Sequence, residues 1–307
     1  MKLALCMVVK DEMHRIEDCL LSVLPLVDSA IIVDTGSTDG TQQFIRERFG
    51  IEVLAGALDP ERCYTLSDHR NRAYELSGAD WVLSIDADER IEPEAIESFR
   101  AMRVPDEVKG FFGRWTNHFE GLPVFEDYKL FLARSRMRKR GLVHENFQSH
   151  IRQVGGTALW LEGLQVHHYP ELAKLAYKAD FYRGRLERAI RMEPDWLRYR
   201  WFLGYMDYQE QRWDEADANF ARVTDARPPL FPVETLNSWM VRIDMAARRG
   251  DAAAAARMVR DALDFHAGVR DDFEVRVNFR IGPWLEEAAR RLAAGDSQAV
   301  RAYRFAR

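Results

Sequence analysis

Through the first hundred residues, short apolar runs alternate with amphipathic stretches, and this alternation constrains the fold more than any other feature. "LALCMVV" (3–9), "SAIIVD" (29–34), "IEVLAG" (51–56) and "DWVLSIDADE" (80–89) read as strands. Between them, "DEMHRIEDCLLSVLPLV" carries Ile16, Leu20, Val23 and Leu24 at helical spacing, and "GSTDGTQQFIRERFG" reads as a turn and then a helix that Gly50 stops. "SDHRNRAYELSG" reads as a helix capped by Ser67 or Asp68, and "EPEAIESFRAM" as a helix with Pro93 in its first turn. Strands joined by helical crossovers of this length predict an α/β domain with a mostly parallel sheet and helices on both faces. Ligands of such sheets bind beyond the carboxyl ends of the strands. There the sequence puts Lys10 after strand one, Asp34 at the end of strand two, and Asp86 and Asp88 at the end of strand four.

The pattern changes at Lys109. "KGFFGRWT", "DYKLFLARS" and "GLQVHHY" are aromatic and β-branched, and read as a mixed extension of the sheet. After Pro170 the chain becomes helical and rich in Arg, Ala, Trp and Tyr, so the expected domains are residues 1–170 and 171–307. Within the second, "WFLGYMDYQEQRWDEADANFARVTDARP" places Leu203, Gly204, Tyr208, Ala216, Phe220 and Pro228 at the spacing of a tetratricopeptide-like helical hairpin. "GDAAAAARMVRDAL" reads as the second helix of a degenerate neighbour, with an ordinary helical bundle as the alternative.

Bulk properties exclude several classes. A formal net charge of −5 gives no reason to expect a nucleic-acid partner. The three cysteines, Cys6, Cys19 and Cys63, are odd in number and lack metal-ligand spacing, which suits a reducing compartment. The opening "MKLALCMVVKDE" reads as a first strand and not a leader, because its apolar run meets Lys10, Asp11 and Glu12. No apolar run reaches the roughly 18 residues of a membrane span. The expected location is the cytoplasm of a bacterium.

The acids pose the chemical question. On a strand, Asp86 and Asp88 would share a face, which is costly unless a cation sits between them. A hard divalent cation that takes its remaining ligands from a phosphate substrate answers that cost, although a solvated loop can also carry a bare DxD. "VDTGSTDGT" follows strand two and offers backbone N–H groups at a helix start, with a simple N-cap by Ser37, Thr38 or Asp39 as the alternative. "SDHRNRA" puts Arg70 and Asn71 on a first helical turn, and "VHE" and "HHY" put His and Glu outside the helices. "ARSRMRKRG" reads as a solvated, mobile loop, with a phosphate patch as the alternative; Trp115, Phe119, Phe125 and Tyr128 before it read as core or as acceptor cleft.

Taken in order, "LCMVVKDE", "IIVDTGSTDGT", "SDHRNRAYELSGADWVLSIDADE", "GLVHE" and "VHHY" resemble a family 2 glycosyltransferase of the GT-A fold. The chain is similar to the subset with tetratricopeptide-like C-termini and to lipopolysaccharide-core glucosyltransferases. The resemblance implies a metal-dependent, inverting transfer from a nucleotide-diphosphate sugar, with Mg²⁺ or Mn²⁺ as cofactor. It places Val9, Lys10, Glu12, Asp34, Ser37, Arg70, Asn71 and Asp86 at the nucleotide sugar. It gives Asp88 and His168 to the metal and Glu145 the part of general base, against a local pairing of Glu145 with Arg138 or Arg140. His167 and His168 would face opposite sides of a strand, so one is structural. Many members carry a second Asp after the position of Asp34; here it is Thr35, which bears on uridine as the base. The acceptor is a glycan, a lipid-linked sugar or a peptide, and a stand at the inner membrane face and a homodimer stay open. The competing readings are a helical-repeat adaptor with an inactive transferase domain and a peptide or protein glycosyltransferase. A nucleotidyltransferase is disfavoured because no Gly-rich, Arg/Lys-bearing loop follows strand one.

Overall fold

A computed structural model describes residues 1–296, apart from the side chains of residues 172–180; the last eleven residues of the expected helical domain lie outside the described residues. Two compact units divide between Ala179 and Asp180. The first contains β1 (Leu3–Val9), α1 (Ile16–Val23), β2 (Ser29–Asp34), α2 (Thr41–Phe49), β3 (Val53–Ala55), α3 (Ser67–Leu76), β4 (Trp81–Leu83), β5 (Glu89–Ile91), α4 (Glu94–Ala101), β6 (Val108–Asn117), β7 (Phe125–Arg134), α5 (Gln148–Gln153) and β8 (Thr157–His168).

These strands form one sheet in the order β3-β2-β1-β4-β7-β6-β8-β5. The pairs β3/β2, β2/β1, β1/β4 and β6/β8 are parallel; β4/β7, β7/β6 and β8/β5 are antiparallel. The sheet is therefore α/β and mostly parallel, with the mixed extension that its aromatic strands signalled. Every residue of β1 is buried, as expected for a central parallel strand covered on both faces. Trp81, Phe99 and Phe111 meet with ring centroids 5.2–5.5 Å apart under the sheet. Full burial of one such side chain contributes roughly 1.5–3 kcal/mol.

Three local expectations change. The first helix begins at Ile16, not near Asp11, because Asp11 turns left-handed (φ 54°). The N–H groups of Asp11, Glu12 and Met13 go instead to Ser37, Thr41 and Asp39. The N-cap of α3 is Leu66, with no side-chain cap; Ser67 bonds the Thr65 hydroxyl, and Asp68 pairs with Arg62. Most important, the ladder of β4 stops at Leu83, so Asp86 and Asp88 lie in a loop and do not share a strand face.

That loop has an unusual task. Residues 84–88 join β4 to β5, yet β7, β6 and β8 lie between them in the sheet. In a flat sheet the gap would be about 19 Å. Six Cα steps span at most about 22 Å, and the turn that brings Glu89 N to Asp86 O (3.0 Å) uses some of that reach. The sheet must therefore curl. A bulge in β8 supplies a bend: Phe112 pairs with Trp160, but Arg114 pairs with Gln165.

The second unit is helical, with α6 (Leu172–Met192), α7 (Arg198–Gln209), α8 (Trp213–Ala226), α9 (Pro232–Arg248), α10 (Ala252–Val269), α11 (Phe273–Val277) and α12 (Ile281–Ala293). α7 and α8 pack as a hairpin in which a Cβ on Gly204 would stand 2.9 Å from the Phe220 ring, so the small residue sets the approach. Among the described residues no helix is long and apolar enough to cross a membrane.

Candidate functional site

The loops after β1 and β2 are laced together at the carboxyl edge of the parallel strands. Asp34 ends β2, is 4% exposed, and accepts from the N–H groups of Gly36 and Ser37 at 2.8 Å through Oδ1. Gly36 has φ 102°, a conformation that favours glycine. Asp11 N donates to Ser37 Oγ (2.8 Å), and Thr38 N donates to Asp11 Oδ1 (2.7 Å). The second oxygen of Asp34, Oδ2, is buried and accepts no hydrogen bond among the described residues. Thr35 is buried and donates to Val9 O at 3.2 Å. The Val9 side chain is in the core, so only its backbone faces this loop, whereas Lys10 is exposed. Arg15 ties the region to the next, contacting Glu12 at 2.6 Å and Asp88 at 3.7 Å.

The acids of the β4–β5 loop have separate partners. Glu89 is fully buried, pairs with Lys129 Nζ at 2.7 Å and accepts from Asp86 N at 2.8 Å. Burial, and then the Asp86 charge, raise its carboxyl above the ordinary range despite Lys129. Asp86 lies between Arg70 (2.6 Å) and Lys129 (3.2 Å). Burial opposes its ionisation, but these cations hold its carboxyl well below the usual value. Asp86 is 36% exposed, so water moderates the effect. Arg70 also donates from Nε to Glu145 Oε1 at 2.9 Å, which makes one chain of Asp86, Arg70 and Glu145. Glu145 thus pairs with Arg70, neither Arg138 nor Arg140. Its burial favours the neutral form, yet Arg70 and Lys139 leave its carboxyl below the ordinary value.

Asp88 differs from both neighbours. Its nearest basic side chains are His168, with Nε2 at 3.4 Å, and Arg15 at 3.7 Å. Burial works against its charge, but the contact with His168 and the charge of Arg15 keep its carboxyl below the usual value. His168 Nδ1 lies 2.7 Å from Asn117 Oδ1, and the ring stacks on Trp115 at 4.6 Å. Asn117 donates from Nδ2 to Trp115 O, which orients its oxygen toward the imidazole. With the Nδ1 proton given to Asn117, Nε2 is the nitrogen turned toward Asp88, the usual arrangement behind a metal-binding histidine. No group of three His, Cys, Asp or Glu residues among the described ones gathers around a common point. Asp88 supplies a carboxylate and His168 an imidazole, two donors that a divalent cation taking its other ligands from phosphate oxygens and water would accept. His167 faces the other side of β8, toward Glu92 (2.8 Å) and His118 (2.9 Å).

Asn71 is occupied by backbone. Its amide donates to Lys139 O (3.0 Å) and accepts from Lys139 N (2.9 Å), clamping the segment that carried the basic run. That segment is not a solvated loop. Lys139 is 7% exposed over the Phe147 ring, and burial, with Arg70 adding to it, pushes its amine down to about 7. Arg138 reaches Glu75 at 3.0 Å. The structure thus brings together Asp34, Ser37 and the Val9 backbone; Arg70, Asp86 and Glu145; and Asp88 with His168. Sequence reasoning missed Lys129, Arg15 and Asn117, and read Lys139 only as one member of a basic run. Lys129 carried a signal: in "DYKLFLA" it shares the strand face of buried Phe131, where a lysine needs an acid.

A parallel core with acids and a helix-start turn at its carboxyl edge has the arrangement of a nucleotide-binding α/β protein. Residues 4–163, more than half of the chain, match the Glycosyl transferase family 2 model, and the chain belongs to that family. A TPR repeat-containing protein of Synechococcus elongatus is 36% identical over 110 residues, 36% of this chain and 26% of that protein. An uncharacterized glycosyltransferase of Rickettsia felis is 36% identical over 93 residues, 30% of this chain and 31% of that protein. These matches span no more than about a third of either relative's length. Among solved structures, that of S. aureus TarS 1-349 aligns over 95% of this chain and 92% of its own, at 12% identity and a TM-score of 0.43.

Proposed function

We propose that the first unit is a GT-A glycosyltransferase domain that moves a sugar from a nucleotide-diphosphate donor, UDP-linked in our reading, to an acceptor hydroxyl with inversion. The observation that carries this reading is Asp88: at the carboxyl edge of the sheet, it has Arg15 at 3.7 Å, a longer contact than those of Asp86 and Glu89 to their cations, and it faces an imidazole anchored from behind. Family membership supports the same reading.

In this account Asp34 Oδ2, Ser37 and the backbone at Val9 receive the nucleoside, and exposed Lys10 stands beside the phosphates. Glu12 acts at one remove by holding Arg15. Asp88 and His168 hold Mg²⁺ or Mn²⁺. Bound there, such a cation would supply positive charge to the diphosphate leaving group. Asp86 and Glu145 fix Arg70, whose charge adds to that field. Asn71 holds Lys139 under it. Attack on the anomeric carbon from the side opposite the diphosphate inverts configuration.

The helical unit is, in the same reading, a tetratricopeptide-like domain, and the acceptor is a surface glycan or lipopolysaccharide precursor, another lipid-linked sugar, or a peptide. We place the protein in the cytoplasm, at the inner membrane face for a lipid-linked acceptor. A thermal-shift panel of nucleotide sugars, each with and without Mn²⁺, tests the proposal. Stabilisation by UDP-sugars only with the metal is the expected result. Stabilisation by a different nucleotide sugar would move the base preference to Thr35, and no response to any donor would overturn the reading.

A further inference from the structure

A general base should carry a carboxyl whose pKa lies near the working pH and whose oxygen is free to take a proton. Glu145 is tied into an ion pair: Arg70 occupies its Oε1 and holds its carboxyl low. Asp127 on β7 forms no ion pair among the described residues, and burial raises its carboxyl above the ordinary range. It lies directly opposite Trp115 of β6, whose ring stacks on His168. It stands two residues from Lys129 and so on the same strand face, the one from which Lys129 reaches Asp86 and Glu89. The carboxylate is half-buried, and its hydrogen bond is from Tyr128 N to Oδ1 at 2.8 Å. The charged groups around that face are Lys129 on the same strand, His168 on β8, and Asp86, Asp88 and Glu89 of the β4–β5 loop and its end. Among the described residues none forms an ion pair with Asp127. Burial therefore acts unopposed by any cation, and it raises the Asp127 carboxyl above the ordinary range.

We propose that Asp127, and not Glu145, takes the proton of the acceptor hydroxyl, and that Glu145 positions Arg70. The assignment rests on the transferase reading above. The acceptor O–H proton passes to Asp127 as the acceptor oxygen forms its bond to the anomeric carbon. The bond from that carbon to the phosphate oxygen breaks, and its electron pair leaves with the diphosphate. The aspartic acid then returns its proton to water.

The test uses the full chain and the nucleotide sugars of the same panel with Mn²⁺, with water as the acceptor and released nucleoside diphosphate as the readout. Asp127→Asn should keep the donor-induced thermal shift and lose roughly 10²–10⁴-fold in turnover. Asp127→Glu should recover part of it. The wild-type rate should rise with pH through an apparent pKa above the normal carboxylate range, and that limb should vanish in Asp127→Asn. Turnover of Asp127→Asn within a few-fold of wild type, with donor binding intact, would overturn the assignment alone. A wild-type profile with no such limb would do the same if the variant failed to fold. Failure of the wild type to bind any donor would overturn the parent reading as well.

Discussion

Buried charge is treated differently in the two units. In the helical unit, Asp207 is 2% exposed and takes Arg183 at 2.7 Å, Arg212 at 2.8 Å and Asn219 at 3.0 Å. Asp244, fully buried, accepts from Tyr208 and Arg248 at 2.7 Å each. Both acids are fully answered by their own neighbours. At the edge of the sheet the accounts stay unbalanced: among the described residues, Asp34 has an unbonded oxygen, Asp88 meets His168 at 3.4 Å and Arg15 at 3.7 Å, and Lys139 is buried with no acid in ion-pair contact. Polar groups are costly to bury unpartnered, so a fold keeps them that way where something outside the chain completes them.

The sharpest way to break this contrast is Asp88→Ala. It should cost at least about 10²-fold in donor turnover and abolish the metal dependence of donor binding, with little change in melting temperature. Metal-dependent binding that survives in this variant would remove Asp88 from the site. Asp207→Ala should do the reverse, destabilising the helical unit by about 1–3 kcal/mol in a denaturant titration, because buried Asn219 loses its acceptor and Arg183 and Arg212 are left, among the described residues, with Glu210 alone. A loss below about 1 kcal/mol would mean that the network is no more than a surface pair.

Lys139→Met is the next test, and it should stabilise the protein by roughly 1–3 kcal/mol at neutral pH. The sign follows from proton counting. An amine lowered from 10.5 to about 7 binds fewer protons folded than unfolded between those values, so stability rises with pH across that window. The variant should flatten that rise in melting temperature; an unchanged slope would show that Lys139 keeps its proton. The smallest effect should come from Arg249→Ala. Its partner Asp214 is 97% exposed, and the expected loss is under about 0.5 kcal/mol in the same titration.

Much of this was legible in the sequence, for physical reasons. β1 and β2 are contiguous apolar runs, and nothing competes with their pairing, so their bounds follow from composition. Gly50 ends α2 in the left-handed conformation that its residue type favours. The misses arise where a distant partner overrides local preference. Asp11 to Met13 look helical, but Ser37, Asp39 and Thr41 claim their N–H groups. "SIDADE" looks like strand, but the ladder ends at Leu83. Glu145 stands beside Arg138 and Arg140 in sequence and beside Arg70 in space, 75 positions away. Motif spacing marks which residues carry charge; only packing decides which charges meet.

The link from β4 to β5 works as a clasp. Its far end is stitched to β8 through Tyr169 N to Asp88 O at 2.9 Å, and the next strand residue, Glu89, lies opposite His168. The two candidate metal ligands thus sit on opposite sides of one seam. A cation held between them would fasten the sheet's outermost strand, and the edge would report on occupancy. Backbone amide exchange at Tyr169 and Glu92, whose N–H groups close that seam, should slow when metal and donor bind, well before any product is formed.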